Sequence, residues 1–195
     1  TRLPAAESAF LRYALGLVFL LPVLRGLFRE GLTWQVTKLG AGRAFLHTFA
    51  VTLWFYAMAR IPVAEVSAMG YLTPIFVTLG AVVILGERLA LRRGLAIVVA
   101  ILGVLVILRP GIREITPGHI AMLGTTLCFG VSYLIAKRLT DLASADMVVA
   151  LLSVGVTIGL IPLTIPVWIA PTSFEVGMLM AVATFAVAGH YSMTF

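Results

Sequence analysis

A group of polar and aromatic side chains inside an apolar stretch is the first candidate for chemistry. His47, Val51, Trp54 and Met58 fall at positions i, i+4, i+7 and i+11, which places them on one face of a helix. Polar groups inside a lipid bilayer usually face the interior of a helix bundle. We therefore expect this face to point inward, where it would line a path for a small molecule.

Two later apolar stretches carry similar partial polar faces. Their candidate pathway residues are Thr126 and Tyr133 in one stretch, and His190 and Tyr191 in the other. Each residue taken alone is typical of a structural role, because buried hydroxyl and imidazole groups are common in packed helices. Taken together with the first face, they predict the lining of a cavity.

A charged residue, Arg12, lies about two turns inside the first apolar stretch. An arginine at that depth either snorkels to the membrane surface or faces the bundle interior and meets an anionic group. Glu7 and Glu65 are expected near the same level and are candidate partners. Direct contact with a substrate is the alternative.

Pro74 lies within a long apolar stretch, and a proline there removes a backbone donor and kinks a helix. Neighbouring side chains or cavity water can satisfy the freed carbonyl. We expect the helix to bend near Tyr71–Pro74, and such a bend can lie beside a cavity. A static kink that serves packing is the alternative.

Gly86 and Glu87 close the same stretch, ahead of a cluster of arginines. A carboxylate in the middle of a bilayer costs on the order of 3 kcal/mol, whereas it costs little at the boundary. The pair is interpreted as a cytoplasmic turn that ends the helix, and a gate contact is the alternative.

Signatures of catalysis are absent from the sequence. It contains no Gly-x-x-x-x-Gly-Lys phosphate loop, no His-Glu-x-x-His motif and no His/Cys cluster at metal-ligand spacing. The acidic residues mostly fall in predicted loops, and the single cysteine excludes an internal disulfide. We therefore predict no enzyme activity, no metal and no cofactor.

The amino-acid composition indicates the environment that surrounds these residues. Of 195 residues, 61% are hydrophobic and only 11% are charged, and the mean hydropathy is +1.10. A water-soluble domain would carry about 25% charged residues. The net charge of +6 lies in short basic clusters between apolar runs, which is typical of membrane loops and not of a nucleic-acid-binding face. A lipid bilayer is therefore the predicted environment.

Continuous apolar runs of about 20 residues predict transmembrane helices and not a strand barrel. The fold class is an all-α integral membrane protein with about seven helices. They are predicted at Ala6–Phe28, Arg43–Arg60, Val63–Leu85, Leu91–Leu108, Gly118–Lys137, Met147–Ile169 and Val176–Phe195. The pair Gly155 and Gly159 predicts close helix packing.

Basic residues are unequal between alternate loops. One set holds nine, at Arg25, Arg29, Lys38, Arg43, Arg88, Arg92, Arg93, Lys137 and Arg138. The other set holds four, at Arg2, Arg60, Arg109 and Arg113. The richer set is expected in the cytoplasm, so the first helix runs inward. Because the chain starts without Met and stops inside an apolar run, we expect an internal fragment of a longer membrane protein.

An ordered set of features runs from Ile61 to Gly111. It comprises small residues at Val63–Gly70, a Leu-x-Pro-(aliphatic)-Phe segment at Leu72–Phe76, a closing Gly86-Glu87, a turn to Gly94, and a helix that carries Gly103 and ends in Pro110-Gly111. This set, with Ala6–Leu24 before it, resembles the EamA-type domain of the drug/metabolite transporter superfamily. The resemblance covers Pro4–Gly111, and Gly118–Phe195 follows it by pattern alone.

The resemblance implies a transporter bundle of ten helices, built from two inverted five-helix repeats around a central path. Residues 1–113 would be the first repeat without its first helix, and 114–195 the start of the second repeat, truncated in its third helix. It implies a secondary transporter in a bacterial inner (plasma) membrane. That transporter would move a small amino-acid-like or drug-like metabolite by alternating access, with export (efflux) favoured. It leaves homodimer formation and proton coupling open.

Two rival functions were weighed against this one. A seven-helix receptor or photoreceptor fits the helix count, but a retinal protein needs a lysine within a helix, and Lys38 and Lys137 fall in a loop and at a helix end. An intramembrane enzyme is disfavoured by the missing catalytic patterns.

Overall fold

The computed structural model describes residues 2–30, 32–86, 88–109 and 114–192, and these ranges contain helices and no strand. The helices are α1 (Ala5–Glu30), α2 (Trp34–Met58), α3 (Val63–Gly70), α4 (Leu72–Leu85), α5 (Leu91–Leu108), α6 (Pro117–Thr140), α7 (Ala145–Thr164) and α8 (Ser173–Ser192). A short 3₁₀ turn, Ile165–Val167, follows α7. The predicted all-α fold class is confirmed.

The helix bounds lie within three residues of the predicted spans except at the start of α2 and at the end of α7, which stops at Thr164 and not at Ile169. The predicted third span is present as α3 and α4, and α5 has the predicted bounds. The expected start of the second span at Arg43 is wrong, because α2 begins at Trp34. The Thr33 hydroxyl accepts a hydrogen bond from the Val36 N–H (3.3 Å), which caps the helix there. Lys38 and Arg43, expected in a loop, therefore lie in α2.

The charge count is affected at α1 as well. Arg25 and Arg29 were counted with the basic residues of the loop at the end of the first span, but α1 contains both and continues to Glu30. Apolar periodicity alone ended the predicted helix at Phe28, whereas an α-helix can carry polar residues for a further turn beyond an apolar layer. The connection between α1 and α2 is correspondingly short.

Four helical segments in the described part of the chain are long and apolar enough to cross a membrane, judged by length and composition. They are Val63–Ile84, Leu91–Leu108, Pro117–Thr140 and Ala145–Val167. The first combines α3 and α4. A shorter apolar helix occupies Ser173–Gly189.

The chain forms two compact units. Unit 1 comprises residues 1–48 and 135–195, and unit 2 comprises residues 49–134. Both boundaries fall within helices, α2 and α6.

Unit 1 contains a close contact between two rows of small residues. Gly40, Ala44 and Thr48 lie one turn apart on α2, and they face Leu151, Gly155 and Gly159 on α7. A Cβ placed on Gly159 would lie 2.7 Å from the Thr48 hydroxyl oxygen, and one placed on Gly155 would collide with the Ala44 methyl group. The predicted close packing at the two glycines is confirmed. Small residues allow backbones to approach in this way in membrane helices.

Unit 2 has a buried core made from α2, α3, α5 and α6. It contains Ala57, Ile61, Val66, Met69, Val104, Ala121 and Met122. Gly124 lets α6 approach the side chain of Leu53 on α2, since a Cβ there would lie 2.9 Å from the Leu53 Cδ1. The Thr125 hydroxyl donates to the Ala50 carbonyl (3.3 Å), which ties the same two helices.

A salt bridge in unit 1 holds the start of the chain against the start of α8. The Arg2 guanidinium donates to both carboxylate oxygens of Glu175 (3.2 and 2.7 Å) and to the Ala170 carbonyl. Glu175 also accepts from the N–H and hydroxyl of Thr172 (both 2.8 Å), and Thr172 accepts from the Glu175 N–H (3.3 Å). This reciprocal arrangement is a capping box at the helix start.

The α2–α7 contact yields a stability prediction. We expect Gly155→Ala to lower the free energy of unfolding by about 1–3 kcal/mol, because the added methyl group forces the helices apart. The matched control is Gly42→Ala on α2, where a Cβ would meet no atom within 4 Å; it should be neutral or stabilising by up to about 1 kcal/mol. Unfolding in detergent measures both, and equal effects would contradict the packing described.

The capping box yields a pH prediction. Arg2, with Thr172, lowers the pKa of Glu175 from 4.5 to about 2. A lowered folded-state pKa means that the contribution of this carboxylate to stability is complete above pH 4.5 and is lost as the pH falls towards 2. Hydrogen-exchange protection of the Thr172 amide should fall across that window. Glu175→Gln should show the weaker protection already at pH 7, and full protection in that variant would contradict the assignment.

Candidate functional site

A buried polar contact on the predicted pathway face joins α1 to α2 in unit 1. The Tyr13 hydroxyl and the His47 Nε2 are 2.8 Å apart, and both residues are buried, at 4% and 3% exposure. Their rings meet edge to face. A hydrogen bond that cross-links two helices in an apolar layer fixes their rotation, because neither group can turn to solvent. His47 is therefore buried against α1, with Tyr13 as its partner.

Arg12 stacks on this pair. Its guanidinium carbon lies 4.0 Å from the centroid of the Tyr13 ring, a cation–π contact. Arg12 is half-buried. On α2, the guanidinium of Arg43 is buried and donates to the Val148 carbonyl on α7 (3.0 Å). We call Arg12, Tyr13, Arg43 and His47 the cationic cluster. It concentrates positive charge and hydrogen-bond donors in the interior of unit 1.

The acids expected as partners of Arg12 have other contacts. Glu7 is fully buried, and its Oε2 accepts from the Ile169 N–H (2.9 Å). Glu65, in unit 2, contacts His119. Within unit 1, Arg12 therefore contacts the Tyr13 ring and not the Glu7 carboxylate. The Arg12 guanidinium lies over the ring of Tyr13, the next residue on α1. The Glu7 carboxylate instead points towards the segment that follows α7, where it accepts from the Ile169 N–H.

The interruption between α3 and α4 falls where the bend was expected. Pro74 has no N–H to donate to the Gly70 carbonyl, and α3 ends at Gly70. The Tyr71 N–H donates to the Ala68 carbonyl (3.2 Å), three residues back, which tightens the last turn. The Thr78 hydroxyl donates to the Pro74 carbonyl (2.8 Å). The expected break of this helix is thus present.

A groove of about 460 Å³ opens beside this interruption in unit 2. Tyr71, Pro74 and Thr78 line it on one side, and α5 lines the other with small residues such as Ala96 and Gly103. Tyr71 is 70% exposed. The groove is mostly apolar, and Arg93 is among its lining residues. The two candidate residues of the third predicted span, Tyr71 and Pro74, are therefore brought together.

The other candidates have local contacts. Trp54 is half-buried and packs against the core of unit 2. Thr126 is buried, and its hydroxyl donates to the Leu123 carbonyl in its own helix (2.9 Å). Tyr133 packs near Phe129.

Gly86 ends α4 in the left-handed conformation (φ 70°), which glycine adopts without strain. Glu87 and the side chains of His190 and Tyr191 lie outside the described residues.

The sequence did not identify two polar residues that make contacts between helices. Tyr13 follows Arg12 directly, and nothing in its spacing marks it as the partner of His47. His119 was not selected either, although it stands three residues after Thr116, which is the spacing of a capping box. That spacing, before an apolar run, could have identified it.

Comparison with known families decides the class. The model of the EamA-like transporter family matches residues 1–109. This chain belongs to the EamA-like transporter family. The predicted resemblance is confirmed, and the family is one of membrane transporters and not of enzymes.

Curated relatives from this family cover nearly all of the chain. An S-adenosylmethionine uptake transporter of Rickettsia prowazekii is 25% identical over 94% of the chain and 63% of its own length. A riboflavin transporter of Vibrio cholerae is 26% identical over 98% of the chain and 67% of its own length. A pseudopaline exporter of Pseudomonas aeruginosa is 28% identical over 98% of the chain and 68% of its own length. No solved structure matches significantly.

The chain spans about two thirds of the length of these relatives, and 63% of the first. The relatives include an uptake transporter and an exporter, so family membership leaves the direction of transport open.

The interrupted helix yields a prediction about backbone hydrogen bonding. In Pro74→Ala, an N–H becomes available to the Gly70 carbonyl, and one hydrogen bond contributes about 1 kcal/mol. We expect amides 71–75 to exchange about fivefold more slowly. Pro62→Ala is the control, because Pro62 precedes the first turn of α3 and removes no bond inside it. Unchanged exchange in Pro74→Ala would show that the interruption does not depend on the proline.

Proposed function

We propose that the full-length protein is a secondary transporter in the bacterial plasma membrane that moves a small, amino-acid-like metabolite by alternating access. The observation that carries this proposal is the buried Tyr13–His47 pair with Arg12 against it. Family membership supports transport, and the cationic cluster supports a substrate that presents a carboxylate. The favoured direction is export, as the resemblance implies.

Arg12 supports recognition of an anionic group. An arginine inside an apolar helix is costly, by about 2.5–3.5 kcal/mol at the centre of a bilayer on insertion scales, so such residues persist where they have a partner or a function. The contact of Arg12 in this structure is with an aromatic ring, which stabilises a cation without neutralising it. A substrate carboxylate would supply the missing negative charge, and a guanidinium can bind it through two parallel hydrogen bonds.

The relatives give independent support for the substrate class. One relative is named for S-adenosylmethionine, which is a derivative of an amino acid, and another is named a pseudopaline exporter. A third relative is named a riboflavin transporter, and riboflavin contains an aromatic ring system. All three relatives are named for small organic molecules, so each needs a path for one. In this chain the cationic cluster would bind the end of the substrate that carries the carboxylate.

The break at Tyr71 supports the alternating-access part of the proposal. Interrupted helices are common at transporter binding sites, where a half-helix can move about the break. We propose that the groove at Tyr71 and Pro74 belongs to the path and that Gly86-Glu87 forms a cytoplasmic turn. We also propose two inverted repeats, with 1–113 in the first and 114–195 in the second.

The role of Arg12 can be tested with the full-length protein in proteoliposomes and a panel of radiolabelled amino-acid derivatives. Arg12→Gln should reduce transport at least about tenfold, since a charged hydrogen bond contributes about 1.5–3 kcal/mol. Arg12→Lys should retain part of the activity, because it keeps the charge but loses the bidentate geometry. The control is Arg138→Gln, in the last turn of α6 and exposed. Full transport by Arg12→Gln would contradict the proposed substrate contact.

The direction is tested separately with membrane vesicles of known sidedness. An exporter accumulates labelled substrate in inside-out vesicles, and accumulation in right-side-out vesicles alone would reverse the proposed direction while leaving the substrate site intact.

A further inference from the structure

A buried carboxylate in unit 1 has one oxygen for which the described residues supply no donor. Glu7, in the first turn of α1, is fully buried. Its Oε2 accepts from the Ile169 N–H (2.9 Å), whereas its Oε1 has no hydrogen-bond partner within the described part of the chain. A buried carboxylate oxygen without a donor is costly. In a folded protein such an atom typically marks a position where a ligand, an ion or water makes the missing contact.

A cavity of about 280 Å³ lies beside this carboxylate. It is lined by Phe10, Ile161, Thr164, Ile165 and Trp168. Phe10 follows Glu7 by three positions on α1 and therefore shares its face of the helix. Trp168 directly precedes Ile169, whose N–H donates to Glu7. The carboxylate is not one of the lining groups, but it lies between the two segments that carry the aromatic lining.

The lining combines aromatic rings with a hydroxyl group and carries no charge. The Phe10 and Trp168 rings meet edge to face, with centroids 6.3 Å apart and planes at 73°. This contact covers at most one ring face, so aromatic faces remain for a cation. The Thr164 hydroxyl donates to the Leu160 carbonyl (2.8 Å), which leaves its oxygen able to accept from a ligand. A cation in this cavity would obtain its opposite charge from Glu7.

We propose that Glu7, Phe10 and Trp168 form a binding site for a small organic ammonium ion. The ammonium group donates to the Glu7 Oε1, and its alkyl chain packs against Ile161 and Ile165. A primary ammonium supplies the missing N–H donor, the charge that neutralises the carboxylate and a cation for the aromatic faces. The cavity is slightly smaller than the usual ligand pocket of about 300–1,000 Å³, which suits a short alkylamine.

The ligand reaches Oε1 when the Trp168 ring turns away from Phe10. Trp168 is 49% exposed, and it follows the 3₁₀ turn in an extended conformation (φ −61°, ψ 126°). Because this residue lies outside α7, its ring can turn without breaking a hydrogen bond of that helix. The Ile169 N–H holds the other carboxylate oxygen in place.

Arg2, a cation of the same region, is engaged by other acceptors. Its guanidinium donates to the Glu175 carboxylate and to the Ala170 carbonyl. The pKa of Arg2 is raised mainly by its hydrogen bond to Glu175, and the charge of Glu7 adds a smaller contribution. The field of Glu7 thus extends to the exposed start of the chain, where it would attract a cation from solution.

The ammonium site is separate from the cationic cluster. Arg12 lies five positions after Glu7, about 140° round α1 and roughly 7.5 Å further along it. The two side chains leave the helix in different directions, so the ammonium site does not depend on the proposed carboxylate contact. Its test is therefore a binding measurement and not a transport assay.

Calorimetric titration of n-butylammonium into the full-length protein in phosphatidylcholine nanodiscs tests the charge, with empty nanodiscs as reference. The neutral probe of the same chain length is n-butanol, which wild type should bind at least about tenfold more weakly. Glu7→Gln keeps the side-chain shape and an acceptor for the Ile169 N–H. It should weaken n-butylammonium binding at least about tenfold and leave n-butanol binding unchanged. Equal affinity of wild type and Glu7→Gln for n-butylammonium would overturn the proposal.

The matched control is Asp146→Asn, which removes an exposed carboxylate of the same unit at the opposite end of α7. It should bind n-butylammonium as wild type does. A loss as large as that in Glu7→Gln would show that the amine responds to overall charge, and would overturn the assigned site.

The aromatic lining is tested with Trp168→Leu, which remains apolar but has no π face. We expect about threefold weaker binding of n-butylammonium, as for loss of a cation–π contact. The control is Trp34→Leu, at the 79% exposed first residue of α2, which should have no effect. Unchanged binding in Trp168→Leu would overturn the aromatic part of the site.

Competition with potassium separates an organic from an inorganic cation. Potassium ions at the same concentration should not displace n-butylammonium, because they supply no N–H donor and leave the apolar lining uncovered. Displacement by potassium would assign the site to an inorganic cation and overturn the proposed ligand class.

Discussion

Hydrocarbon offers no hydrogen-bond partner, so every polar group that this chain places in an apolar layer must find one within the chain. Helices satisfy the backbone internally, which explains why the described residues contain no strand. Without a hydrophobic driving force between helices in lipid, association depends on close packing. The rows on α2 and α7, which meet at Gly155 and Gly159, supply that packing in unit 1.

The same constraint concentrates the chemistry at few places. Side chains that remain polar are paired with each other: Tyr13 with His47 in unit 1, and Glu65 with His119 in unit 2. Arg12 differs, because its contact is with an aromatic ring that leaves its charge available to an anion. Where a proline removes a backbone donor, at Pro74, the helix is interrupted instead.

Much of the fold could be predicted from the sequence, because long apolar runs and their breaks determine helices locally. The bounds of α5, the interruption near Pro74 and the close approach at Gly155 all follow from local patterns. The start of α2 could not be predicted in this way, since its first turns are polar and a hydroxyl cap at Thr33 begins it. The contact partners of individual side chains could not be predicted from the sequence either. Whether Arg12 meets a carboxylate or a tyrosine ring depends on how helices are rotated against each other, which no single helix encodes.

The central claim is that Arg12 and the Tyr13–His47 pair recognise a carboxylate. Equilibrium binding of amino-acid derivatives and of their carboxamides to the full-length protein tests it most directly. We predict that the carboxamide binds wild type at least about tenfold more weakly, as expected for loss of a charge-assisted bond, and that this difference disappears in Arg12→Gln. Equal binding of the two forms to wild type, or a difference that persists in Arg12→Gln, would contradict the account.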